Sequence, residues 1–151
     1  MPDEVQRVLD AIVQRWVIAN EERAVELDAS AADTGSAIER DKQEAVRREM
    51  QRAHDLASAF RSGLVRAWRR ARMGGTEVVL DDRDPEENRI ADALIHFLVS
   101  FDLASSRSME TEENHYVYTI AVDWPRLTAV GREAGVDLER ALNRLAGQPA
   151  S

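Results

Sequence analysis

The 151-residue chain has a formal net charge of −8, 44% hydrophobic and 32% charged residues, and no cysteine. A core is therefore attainable, while disulfides, thiolate metal sites and a cysteine nucleophile are excluded together, and whole-surface attraction to nucleic acid or anionic membrane is disfavoured. The start, Met1-Pro2-Asp3-Glu4, lacks the basic-then-apolar pattern of a secretion signal, and no run approaches the roughly 20 apolar residues of a bilayer span, so a soluble, cytoplasmic protein is expected.

Residues 3–32 read as a helix, with Val5, Val8, Leu9, Ile12, Val13 and Trp16 recurring at the spacing of one buried face. Small and polar residues at 29–37 break it at Gly35, and Ser36 followed by Glu39 is a capping-box signature for the next helix. That helix should run to about Met73, where Gly74-Gly75 ends it. Its apolar stripe includes Met50, Ala53, Leu56, Phe60, Leu64 and Trp68, interrupted at Gly63, where a glycine costs about 1 kcal/mol relative to alanine. The two helices form an antiparallel hairpin over 1–73, whose stripes need cover from the rest of the chain, a second copy or another protein.

Beyond the glycines, Thr76–Leu80 is a short strand candidate, and Asp84 caps a helix with Pro85 at its first position and Glu86 and Glu87 in its first turn. Ile90, Leu94, Phe97, Leu98 and Phe101 give this helix a buried face to about Leu103, with His96 outward. A hairpin follows, with a polar tip near Glu112-Glu113-Asn114. In 115–122 both alternating sets are fairly apolar, as in a strand covered on both faces. Two short helices over 124–145, split at Gly135 and capped by Asp123 and Asp137, complete the chain and should pack against the sheet. The expected fold is α-dominant α+β: the helical hairpin, then a small βαββαα domain over 74–147.

The motif LTAVGREAGVDLERAL (127–142) resembles the helix-turn-helix of lac-repressor-type regulators, with Gly131, Gly135, Val136 and Ala141 at the matching positions. Arg144 departs from that pattern, which has a buried apolar residue there. Of the positions the resemblance would turn toward bases, only Asn143 suits base reading, while Asp137 and Glu139 would meet phosphates. The helix ending in LVSFDLASSRS, followed by two strands, resembles the third helix and wing of winged-helix proteins. One helix stands where that fold needs two, and the tip is acidic.

Charge is unevenly placed: residues 1–34 sum to −5, 35–73 to +5 and 74–151 to −8. The arginines of the second helix, Arg61 among them, lie away from its apolar stripe, and Arg66, Arg69, Arg70 and Arg72 crowd the last turns around Trp68. These residues are the candidate partner-binding surface, and Val13, Trp16, Phe60 and Leu64 the candidate oligomer interface. Catalytic signals are thin. His54, His96 and His115 fall on different elements without metal-type spacing, the carboxylates of DDRDPEE read as helix caps rather than metal ligands, and no nucleophile is paired with a base. The expectation is a non-enzymatic assembly or adaptor protein, a homo-oligomer (dimer or larger) with a protein partner, and no cofactor, metal or membrane association. The alternative is a nucleic-acid-binding regulator with a winged-helix-like C-terminal domain.

Overall fold

The computed structural model describes residues 4–15 and 35–147, and these comprise five α-helices and one three-stranded antiparallel sheet. Helix α1 spans 4–15, and α2 runs from Gly35 to Arg72. Strand β1 (Val78–Asp81) leads into α3 (Pro85–Phe97), and the hairpin of β2 (Ala104–Glu112) and β3 (His115–Val122) precedes α4 (Trp124–Glu133) and α5 (Leu138–Gly147). No described helix is long and apolar enough to cross a membrane. The turn of the expected N-terminal hairpin, and Trp16 with it, lies outside the described residues.

At about 1.5 Å per residue, the 38 residues of α2 extend to near 57 Å. It stops where expected: Gly74 adopts φ +85°, and the Gly75 N–H returns to the Arg70 carbonyl at 2.8 Å. Ala53, Leu56, Phe60, Leu64 and Ala67 bury one face of it, whereas Met50, assigned to the same stripe, is exposed. Gly63 has a packing reason. A Cβ there would stand 2.9 Å from Ile90 Cγ2 and 3.0 Å from both Leu94 methyls, so α2 and α3 touch closely at this point. One turn away on each helix, the Phe60 and Phe97 rings meet edge to face at 6.0 Å.

Helix α3 starts as its sequence dictates, with the Asp84 carboxylate accepting from the Glu86 and Glu87 N–H groups. It ends earlier than expected, at Phe97. A single 3₁₀ turn (Val99–Phe101) follows, and Asp102 takes the left-handed conformation at φ 60°. A continuous helix would set residues 98 and 103 about 140° apart around its axis. The tightened turn lets Leu98 and Leu103 both enter the core, and aspartate tolerates the left-handed position better than most residues. His96 also departs from expectation. It is half-buried, with Nε2 at 2.6 Å from Glu49 Oε2 on α2.

The sheet order is β1-β3-β2, with Val78 opposite Ile120 and Met109 opposite Val117. Val78, Leu80 and Ile120 are buried on one face, while the row Val79, Thr119 and Arg107 lies on the other, where Val79 and Arg107 are exposed. Among the described residues the helices lie on one face of the sheet only, so the expected double cover of β3 is not provided by them. The two C-terminal helices also depart from expectation. They pack on α2 and α1 rather than on the sheet: Val8 approaches Gly131, the Arg7 guanidinium donates to the Ala134 carbonyl, Arg15 pairs with Glu133, and Arg144 pairs with Glu4. One hydrophobic cluster joins α1 and α2 to α3, β1, β3, α4 and α5.

Two stability changes test this packing. Gly63→Ala should gain helix propensity yet lower stability by about 1–2 kcal/mol, because the added methyl meets buried Ile90 and Leu94. Denaturant melts giving a net gain would show that the crossing is looser than described. Phe97→Ala should cost about 3–5 kcal/mol, and a loss below about 1 kcal/mol would place Phe97 outside the core.

Candidate functional site

The basic end of α2 divides into two parts. Arg66 is half-buried, with its guanidinium 3.7 Å from Glu87 on α3. Trp68 is also half-buried; its indole N–H donates to Asn143 Oδ1 at 2.9 Å, and its ring lies edge-on to Trp124 at 5.0 Å. This residue braces α2 against α4 and α5 rather than standing open on the surface. Arg61 is exposed on the same helix. Arg69, Arg70 and Arg72 are exposed, and none of them has an ion-pair partner among the described residues. They occupy the last turn, where the helix dipole favours cations, and Met73 beside them is 82% exposed.

The residues assigned to an oligomer interface are placed differently. Phe60 and Leu64 are fully buried and Val13 is 5% exposed, all inside the core of a single chain. Their apolar surface is already covered by the chain's own elements.

The α4–α5 unit has the local form its sequence indicates. Gly135 turns at φ +73°, Asp123 and Asp137 cap the helices, and Gly131 sits where a Cβ would press on Leu138 at 3.3 Å. Leu138 and Leu142 face the core, and Asn143, the one good base reader, is held by Trp68. At the hairpin tip Glu110, Glu112 and Glu113 are exposed, and a single α-helix stands between β1 and β2.

A second constellation was not legible from spacing. Asp81 ends β1, Asp82 opens the turn into α3, and His115 begins β3. The antiparallel register sets Asp81 opposite Val117, so His115, two residues earlier, points to the same side of the sheet as Asp81. His115 Nε2 lies 2.7 Å from Asp81 Oδ1 and 3.8 Å from Asp82 Oδ1, and Nδ1 lies 2.6 Å from Thr111 Oγ1. The Arg83 backbone N–H, and after it His115, hold the Asp81 carboxyl below its ordinary range. The capping role read for DDRDPEE belongs to Asp84 alone. Pairing the two earlier aspartates with a histidine more than thirty residues away required knowing the strand register.

No protein-family model, curated protein or solved structure matches the chain.

The Trp68–Asn143 bond ties α2 to α5, and its removal has a definite size. Asn143→Ala should destabilise by about 0.5–1.5 kcal/mol, since the half-buried indole loses its acceptor but water can partly replace it. No change in denaturant midpoint would mean that the bond does not form in solution.

Proposed function

We propose that the chain is a non-enzymatic interaction protein that docks an acidic protein surface on the arginine-bearing end of α2. The observation that carries this reading is the group Arg69, Arg70 and Arg72: three exposed cations without an ion partner among the described residues, in a chain of net charge −8. A charged patch of this kind steers association and chooses partners by sign more than it supplies raw affinity. Trp68, tied to Asn143 and stacked edge-on with Trp124, holds the end of α2 in place, so little ordering cost falls on the docking step. Exposed Met73 adds an apolar contact next to the charges.

Protein is favoured over nucleic acid because phosphates approaching the hairpin tip would meet Glu110, Glu112 and Glu113, and Asn143 is already engaged. Self-association as a dimer or larger belongs to the same proposal, since the chain's own acidic surface suits the arginine end. Such a contact would use Arg69, Arg70 and Arg72 rather than Val13, Phe60 and Leu64.

Fluorescence anisotropy with a labelled oligoglutamate peptide and with random duplex DNA, alongside light scattering, tests this reading. The peptide should bind more tightly than DNA and weaken as salt rises. The triple change Arg69→Ala, Arg70→Ala, Arg72→Ala should reduce affinity by about 3- to 150-fold without lowering Tm, given about 0.2–1 kcal/mol for each exposed charge pair. Tighter binding to DNA would replace the adaptor reading with the regulator reading, and binding indifferent to the triple change would remove the arginine end from the mechanism.

A further inference from the structure

We propose that Asp81, Asp82 and His115 form a binding site for a first-row divalent metal ion of the zinc class. They are the only group of three or more His, Asp and Glu side chains among the described residues whose ligating atoms converge, all within 4.8 Å of one another. Zinc bonds to imidazole nitrogen and carboxylate oxygen at about 2.0–2.2 Å, which places tetrahedral ligand atoms about 3.4 Å apart. The 3.8 Å between His115 Nε2 and Asp82 Oδ1 is close to that spacing, and the 2.7 Å to Asp81 Oδ1 needs an opening of a fraction of an ångström.

Burial supplies an independent observation. Asp82 Oδ1 exposes less than 1 Å² to solvent and has no hydrogen-bond partner. A buried carboxylate oxygen left in that state is costly, and a bound cation removes the cost. The Arg83 guanidinium, the nearest cation in sequence, is drawn instead to Glu112 at 2.5 Å. The His115 side chain is only 12% exposed and that of Asp82 20%, while Asp81 is more open, leaving one side from which an ion and a water ligand can enter.

Thr111 makes the histidine a usable ligand. When the hydroxyl donates to Nδ1, Nε2–H faces Asp81. When the hydroxyl accepts from Nδ1–H, the Nε2 lone pair faces the two carboxylates. One hydroxyl serves both tautomers, so a metal can replace the proton shared with Asp81 without moving the ring. A nitrogen with two carboxylates suits zinc, cobalt or manganese, whereas calcium and magnesium take all-oxygen sets. Bound metal would clip the base of the β2–β3 hairpin to the turn that starts α3.

Calorimetric titration of the full chain with zinc chloride after EDTA treatment, paired with thermal melts, tests the proposal. One zinc per chain should bind and raise Tm, with magnesium and calcium failing to compete. Asp82→Asn and His115→Gln should each weaken zinc binding at least 10-fold, and Thr111→Val should weaken it by about 10-fold. His96→Gln, which alters the separate pair with Glu49, should bind zinc as the parent does. Should His115→Gln fail to fold, Asp82→Asn and Thr111→Val decide. Absence of zinc binding, equal binding of magnesium, or affinity unchanged in those two variants would overturn the site.

Discussion

Where α2 crosses α3, a glycine backbone meets Ile90 and Leu94 with no room for a methyl group. This close approach sets the geometry of everything C-terminal to it. Phe60 and Phe97 can meet edge to face because the helix axes are near at Gly63. Helix α3 in turn fixes β1 before it and, through the tightened turn that admits Leu98 and Leu103, the hairpin after it. The sheet is therefore hung from α3, and its register brings the start of β3 beside the end of β1. The basic end of α2 depends on the same helix, held from the other side by Trp68.

Much of this was legible in periodicity and punctuation. The buried face of α1, the end of α2 at Gly74-Gly75, the Asp84-Pro85 start of α3 and the hairpin turn at Asn114 all follow from local rules, and the structure has them. The misses are of another kind. A helical wheel gave Met50 a place in the stripe, but it cannot say where the neighbouring layer ends, and Met50 lies beyond that cover. The helix expected to reach Leu103 stops at Phe97, and the tightened turn after it brings Leu98 and Leu103 into the same core, a tertiary demand that propensity does not contain. The C-terminal helices were assigned to the sheet because their apolar sides were clear and their partner was not. Amphipathicity names a buried face without naming what buries it.

The two sites differ in legibility for the same reason. Clustered arginines on one helix are visible in sequence, although only the structure separates Arg66, paired with Glu87, and Trp68, engaged by Asn143, from Arg69, Arg70 and Arg72, which have no ion-pair partner among the described residues. The carboxylate–histidine group has no sequence spacing to announce it, since a strand pairing creates it. Both aspartates could be read as caps, and one neighbouring aspartate is a cap. The buried oxygen of Asp82 is the feature that capping leaves unexplained.

The seating of α1 has a consequence for how the chain acquires its structure. Helix α1 finds its partners in α4 and α5, with Arg7 reaching a carbonyl 127 residues further along. During synthesis, which proceeds from the N-terminal side at about 5–20 residues per second, the apolar face of α1 is exposed for several seconds before α4 and α5 exist to cover it. Closing so long a loop also costs more chain entropy than forming the local contacts of α2 with α3 and of β2 with β3. Helix α1 is thus made well before α4 and α5 can bury it, and during that interval its apolar face is open to a chaperone.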